Sequence, residues 1–262
     1  MSVACSTSEL MTCELATRLH DGEIVIIGGA SPVPMAAALL AQRTHAPNLT
    51  LLTGSGAVNP RPPRLAPSGG DFAYISTAEA YMTMEDVFDD TERGRWDVGI
   101  FGGIQVDAYG NFNLTYVGGT LAAPRLRGPG LVNAGLPMTA ARSMLCVERH
   151  TPEVLVDAIA FASGAGTRRP DGSPYPADRR GGGPDFCVTG LASMDFTGDD
   201  ERMALVSVHP DTTADEVRER TGFALAGPAE PPATPAPAPD LLAVLRHGID
   251  PSGVLRKTAV AA

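Results

Sequence analysis

The chain has 262 residues, 44% hydrophobic and 19% charged. This is a globular composition, long enough to bury a full core, and it excludes wholesale disorder. Acids outnumber bases 30 to 20, a formal net charge of −10, so no basic stripe exists to neutralise a phosphate backbone and nucleic-acid binding is excluded.

Glycine (29) and proline (23) are abundant but stay below the roughly 25–30% at which low complexity takes over. Lys257 is the one lysine beside nineteen arginines, a bias that makes any single arginine weak evidence of phosphate recognition. No apolar run approaches the ~18 residues that span a bilayer. The first residues carry Glu9 and Glu14 where a signal peptide needs an unbroken apolar stretch, so the expected location is the cytoplasm, away from membranes. Cys5, Cys13, Cys146 and Cys187 are widely spaced and read as reduced thiols, some buried as small hydrophobes. The five histidines cluster neither together nor at ligand spacing, and no metal is expected.

Ser6 and Glu9 have the spacing of a capping box, and Leu10, Met11, Cys13, Leu15 and Leu19 fit the inner stripe of a helix. Asp21-Gly22 turns into EIVIIGG (23–29), a buried strand. Pro34 opens a second helix and LTLLT (49–53) is a second strand, a β-α-β unit that favours a parallel sheet. Residues 54–71 form a long loop, followed by strand 72–76, a helix over 77–88 and strand 98–103. The run IQVDAYGNFNLTYVG (104–118) alternates about Tyr109-Gly110-Asn111 as a hairpin. Short apolar runs surround Val132 and span 144–147, and 155–163 fits helix or strand. Residues 164–185, rich in glycine, proline and arginine, read as a mobile surface loop that packing does not fix. Strands follow at 186–196 and 203–209, then a helix opened by Thr213 with Glu216 placed for a capping box. The expected organisation is one α/β domain over 1–226, a polyproline-type tether over 227–239, and a C-terminal helix and tail over 240–262.

Three stretches are candidates for chemistry. The pairs Gly28-Gly29 and Gly102-Gly103 each end a hydrophobic strand, where open α/β sheets bind ligands and a missing side chain lets an N–H approach an oxyanion; a tight turn explains them as well. Gly128-Pro129-Gly130 offers the same two readings. Gln105, Asp107, Asn111 and Asn113 bracket the hairpin, and Asp107 and Asn111 serve equally as plain turn residues.

The order of these pieces resembles a known family. GGIQVDAYGNFNLT (102–115) is similar to the G-G-[AI]-Q-[VI]-D-x-x-G-N-x-N-x-T motif of β-type subunits of class I coenzyme A transferases. DGEIVIIGGASPVPMAAALLAQRTHAPNLTLL (21–52) resembles the family's first β-α-β unit, and RLRGPGLVNAG (125–135) lies where its glycine-rich loop does. MALVSVHPDTTADEVRERTGF (203–223) is similar to its late strand, His-Pro turn and helix, and GIDPSGVLR (248–256) to its C-terminal end. The resemblance implies an open mixed α/β sheet flanked by helices with an antiparallel hairpin portion, and an α-type partner subunit sharing the active site. It also implies an acyl-CoA thioester as substrate, with coenzyme A entering as part of that substrate and no permanently bound cofactor. In the transferases, a β-chain glutamate after the second strand attacks the thioester.

Here the matching run is Leu52-Thr53-Gly54-Ser55-Gly56, with Gly54 in the glutamate's place and no carboxylate from Asn48 to Ser68. Ser55 has no base near it in sequence and reads as a loop hydroxyl. The glycine loop departs too, Gly130 being followed by Leu131-Val132-Asn133. Family members without the glutamate resemble two-subunit hydrolases that open a carbocyclic β-diketone CoA ester, where a carboxylate of the α-type chain is the base. The expected function is therefore CoA-ester hydrolysis, with CoA transfer through a nucleophile from elsewhere and a non-catalytic partner role as alternatives. The same broad fold also hosts sugar-phosphate isomerases and ligand sensors; the carboxylate-free stretch 48–68 disfavours an isomerase, which needs a carboxylate base. Gln105, Asp107, Asn111 and Asn113 are expected to shape the site. Gly54, Gly56, Gly128 and Gly130 are expected to offer backbone amides to the thioester, beside Gly102 and Gly103.

Overall fold

The computed structural model describes residues 5–29 and 32–257. They divide into two compact units, one formed by the chain up to Phe101 together with the segment from Pro235 onward, the other by residues 102–234.

In the first unit, helix α1 (Thr7–Ala16) begins with the expected capping box: Glu9 N–H donates to Ser6 Oγ and the Glu9 carboxylate accepts from Ser6 N–H. Strand β1 (Ile24–Ile27), helix α2 (Pro32–Arg43) and strand β2 (Thr50–Thr53) follow. The two strands are parallel, paired from Ile24↔Thr50 to Ile27↔Thr53. α2 starts two residues before Pro34 and buries Val33 through Ala41 without a break, as a helix enclosed on most sides must. Strand β3 (Ala57–Val58) turns back antiparallel on β2.

Residues 72–76 are not a strand. They form a short helix α3 (Phe72–Ile75) because the Asp71 carboxylate accepts from Ala73 N–H and caps it. Of its apolar side chains only Tyr74 is buried, its hydroxyl set against the backbone of Ala66. The helix expected over 77–88 starts later, as α4 (Met84–Glu92), where Thr83 and Asp86 make a capping box. The preceding residues supply strand β4 (Ala80–Tyr81), which pairs with β3. Strand β5 (Val98–Phe101) joins β1 on its other side in parallel. The order β5-β1-β2-β3-β4 puts the buried strands inside and the exposed two-residue β4 at the edge.

In the second unit, strands β6 (Gln105–Val106) and β7 (Phe112–Asn113) form the expected hairpin, Gln105 facing Asn113 and Val106 facing Phe112. A second hairpin joins β8 (Tyr116–Gly119) to β9 (Pro124–Arg127). After helix α5 (Leu136–Thr139), strand β10 (Arg142–Val147) pairs in parallel with β11 (Pro184–Thr189). The expected strand 186–196 is two strands, β11 and β12 (Ala192–Asp195), folded back antiparallel. The Thr189 hydroxyl accepts from the N–H groups of Leu191 and Ala192 and so builds the turn between them. Strand β13 (Ala204–Val208) completes the order β13-β12-β11-β10, and helix α6 (Ala214–Glu219) opens at Thr213, which accepts from Glu216 N–H. Residues 155–163 are neither helix nor strand; Leu155 makes a single parallel bridge to Val106.

Two flexible-looking stretches are held down. Gly164, Ala165 and Gly166 are buried, and a β-carbon at Gly164 would overlap the Phe112 ring, so packing fixes the start of the 164–185 loop. In the proline-rich stretch, the Pro232 carbonyl accepts from Val208 N–H and Thr234 N–H donates back to Val208, so that part lies along β13. The C-terminal segment forms α7 (Pro239–Ala243), a π-helical turn (Val244–Ile249) and α8 (Val254–Lys257). Arg246 of the π-helical turn binds Glu9 of α1 in the first unit. The last five residues of the expected tail lie outside the described residues. No helix among the described residues is long and apolar enough to cross a membrane. Cys13, Cys146 and Cys187 are buried free thiols, and burial pushes those of Cys13 and Cys187 up to about 12, which makes them inert hydrophobes at neutral pH.

Candidate functional site

In the first unit the parallel strands β1 and β2 end side by side at Gly28-Gly29 and Gly54. Gly54 N–H donates to Ile27 at 2.8 Å and Gly56 N–H to Thr53 at 2.9 Å. Both amides are therefore occupied, and neither Gly54 nor Gly56 offers the free N–H expected of it. Gly56 is glycine for a different reason: its φ is +88° and a β-carbon would strike the Met82 carbonyl. Gly54 is exposed, its φ is ordinary, and a β-carbon there would meet Gly28 and Gly29 at 3.5 Å, normal contact. Ser55 Oγ donates to the Gly69 carbonyl at 2.8 Å and shares a hydrogen bond with Thr53 Oγ1. Its proton is engaged by a carbonyl and by no base, so it is the loop hydroxyl the sequence suggested. Gly28 and Gly29 are exposed, and their N–H groups meet no carbonyl among the described residues.

In the second unit the four polar residues of the β6–β7 hairpin lie together and are buried, Asn111 and Asn113 completely. Asp107 Oδ1 accepts from the N–H groups of Tyr109 and Asn111, and Oδ2 from Asn111 Nδ2 at 2.9 Å. Burial raises the Asp107 carboxyl above its usual range against the lowering effect of these donors. Asn111 saturates its own side chain. Nδ2 also donates to the Arg168 carbonyl, while Oδ1 accepts from Gly166 N–H and the Tyr175 hydroxyl. Asn113 donates to Gln105 Oε1 and to the Tyr116 carbonyl, and accepts from Thr115 N–H. Three of the four are thus internal struts. Gln105 Oε1 is also occupied, by Asn113 and Ala160 N–H, but its Nε2 has no partner among the described residues.

The Asn111 arrangement carries a stability prediction. Asn111→Ala strips partners from Gly166 N–H, the Tyr175 hydroxyl and the Arg168 carbonyl together, and is expected to cost about 3–5 kcal/mol. Urea unfolding measures the loss, and limited proteolysis should show new cuts within 164–185. A variant with an unchanged midpoint and no new cuts would refute the strut role.

Gly128 and Gly130 also spend their amides inside the chain, on the carbonyls of Thr115 and Leu114, each at 2.8 Å. The glycine loop is thereby folded back on the residues after β7, and it does not present these N–H groups. Gly103 is closely packed, a β-carbon lying 2.9 Å from the Gln105 carbonyl and from Val106. The N–H groups of Gly102 and Gly103 meet no carbonyl among the described residues. Of the candidate glycines, those of the strand-end pairs are thus the ones whose amides have no carbonyl partner among the described residues.

Residues 9–147 match the coenzyme A transferase family. Over 244 residues, 93% of each chain, the protein is 31% identical to the B-type chain of 3-oxoadipate CoA-transferase of Pseudomonas knackmussii. The chain belongs to the coenzyme A transferase family. Within it, the chain is also 31% identical, over 88% of its length and 86% of the relative's, to the cholesterol ring-cleaving hydrolase IpdB subunit of Rhodococcus jostii. The solved decarboxylase AibA/AibB superposes with a TM-score of 0.84 at 32% identity, covering 98% of this chain and 100% of that one. The mixed α/β architecture with small antiparallel hairpins is that of the family, as the motif resemblance implied.

Sequence reading missed one group near the second of these glycine pairs. Glu148 directly follows β10, half-buried, with neither an ion pair nor a hydrogen bond among the described residues. Burial raises its carboxyl above the usual range. The available signal was a carboxylate closing the apolar run 144–147. Among the described residues no three His, Cys, Asp or Glu side chains gather as a metal site.

Proposed function

We propose that this chain is the β-type subunit of a two-subunit enzyme of the coenzyme A transferase family, acting on an acyl-CoA thioester by hydrolysis. The observation that carries the reading is Gly54 at the end of β2, in a stretch with no carboxylate from Asn48 to Ser68. A transfer mechanism through a glutamyl-CoA intermediate needs a carboxylate nucleophile there, whereas hydrolysis needs water, a base and an oxyanion site. Relatives named as a ring-cleaving hydrolase and a decarboxylase support a scaffold used for reactions other than CoA transfer. The α-type partner follows from the two-subunit names of these relatives, and coenzyme A is part of the substrate. In the second unit the ligand-facing groups are assigned to the backbone of Gly102 and Gly103 and to the Gln105 amide. In the first unit, Gly28 and Gly29 offer the same kind of strand-end amide, with Gly54 beside them. The identity to a 3-oxoadipate CoA-transferase chain favours transfer as the second reading.

The deciding experiment uses the chain purified with its α-type partner, incubated with a panel of acyl-CoA esters in ¹⁸O-labelled water, with and without acetate or succinate. Label in the released acid without CoA exchange supports hydrolysis. CoA appearing on the added acid sinks it in favour of transfer. A second test is Gly54→Glu. The position tolerates the substitution, since φ is ordinary and the new β-carbon meets only van der Waals neighbours. The variant is expected to gain CoA exchange with free carboxylates that the parent lacks. No gain in a well-folded variant would mean that the remaining site is not laid out for a glutamyl-CoA intermediate.

A further inference from the structure

β10 ends at Val147, and its next residue is a carboxylate that no cation or donor among the described residues engages. This is unusual for a half-buried charge, which is ordinarily paired or hydrogen-bonded. The strand end also lies beside the second glycine pair: a β-carbon at Gly102 would sit 3.4 Å from the carbonyl of Cys146, two residues before Glu148. The N–H groups of Gly102 and Gly103 have no partner among the described residues, while the hairpin carboxylate, Asp107, is bound on both oxygens. Ligands of open α/β sheets bind beyond the carboxyl ends of strands. An unpaired carboxylate and free amides at one such end are the two parts that water addition to a carbonyl requires.

We propose that Glu148 is a proton-transferring carboxylate of this chain's own active site, beside the Gly102-Gly103 amides. The proposal rests on the acyl-CoA hydrolase reading and moves a base from the partner subunit into this chain. Glu148 takes a proton from water as the water oxygen bonds to the thioester carbonyl carbon, and the developing oxyanion is held by N–H groups. The tetrahedral intermediate then breaks its carbon–sulfur bond. The proton on Glu148 passes to the departing coenzyme A sulfur, giving a free acid and a thiol from one thioester and one water. Burial, which favours the neutral carboxyl, brings such a group closer to the working pH of a general acid–base catalyst.

Two measurements on the complex with the α-type partner test this. In the first, carboxyls are labelled with a water-soluble carbodiimide and an amine, and Glu148 is followed by peptide mass spectrometry with and without acetyl-CoA and free CoA. Protection of Glu148 by these probes supports its place in the site; equal labelling overturns it. In the second, Glu148→Gln is expected to lower kcat by about 10²–10⁴-fold with little change in KM. Glu148→Asp should retain intermediate activity with a displaced acid limb in its pH–rate profile, a change that a merely structural role would not produce. A Gln variant within threefold of the parent, with the parent's pH profile, overturns the proton-transfer role. If the parent complex turns over no acyl-CoA ester, the hydrolase reading fails and the proton-transfer role with it, whereas the labelling arm separately decides whether Glu148 faces the thioester.

Discussion

Lowering the pH from 7 to 4 is expected to remove about 3 kcal/mol of stability for each of two buried histidines. His150 and His209 are both 3% exposed, and burial, the largest influence on each, lowers their pKa to about 4. His209 Nε2 donates to the Thr189 carbonyl at 2.9 Å, so its Nδ1 accepts from the Thr234 hydroxyl. His150 lies between the hydroxyls of Thr189 and Thr221, so Thr189 touches both rings. An unfolded chain protonates its histidines near pH 6.5, whereas the folded one resists until about pH 4. Between those values the unfolded state binds more protons, so stability is complete above pH 6.5, falls as pH falls, and levels off below about 4. The raised carboxyls of Asp107 and Glu148 act in the opposite direction, because acid relieves the cost of keeping them ionised. Urea midpoints across this range measure the net slope, and imidazole NMR isolates its source. His150 and His209 resonances that shift between pH 7 and 6 in the folded protein would rule out the buried-neutral assignment.

Replacing Glu9 by alanine is expected to cost about 2–4 kcal/mol, from the lost charge-assisted hydrogen bonds to the part-exposed Arg246 and the lost capping contact of α1. Glu9 is 1% exposed. Its Oε1 accepts from Arg246 Nε at 2.7 Å, and its Oε2 from Arg246 Nη2 at 2.8 Å and from Ser6 N–H at 2.9 Å. Burial by itself would raise the Glu9 carboxyl, but the Arg246 hydrogen bond, the Ser6 amide and the positive charges of Arg246 and Arg256 together hold it below its usual range. The same carboxylate caps α1 and anchors the C-terminal π-helical turn, so its loss loosens both ends of the first unit. Denaturant unfolding of Glu9→Ala, Arg246→Met and the double variant gives the coupling directly. The double variant is expected to be less damaged than the sum of the singles, because no charge is then left unpaired. A Glu9→Ala cost below 1 kcal/mol would contradict this account.

Features that depend on neighbours a few residues apart are legible in the chain alone. The caps at Ser6 and Thr213, the β1-α2-β2 unit and the Asp107–Asn111 turn are local hydrogen-bonding and periodicity problems, and the helix and strand signals at 7–16, 24–27 and 50–53 are carried by residues of that same stretch. The capping pair at Thr83 and Asp86 is equally local, although the apolar pattern at 77–88 points to an earlier helix start. The family is legible too, because the run from Gly102 to Thr115 is dense with glycine, asparagine and aspartate whose spacing the hairpin geometry dictates.

Features that depend on partners distant in the chain emerge only with the fold. Residues 72–76 read as a strand, yet in the fold only Tyr74 is buried, its hydroxyl set on the backbone of Ala66, while Phe72 and Ile75 stay exposed. The 164–185 segment has the composition of a mobile loop, but Asn111 and Phe112, more than 50 positions earlier, take up its backbone and its glycines. Glycine type alone does not reveal which N–H groups are engaged: Gly54, Gly56, Gly128 and Gly130 are bound to carbonyls, whereas the strand-end pairs meet none among the described residues. Glu9 and Arg246 are separated by 237 positions. A backbone donor or a buried charge is defined by what lies across from it in space, and only folding brings those groups together.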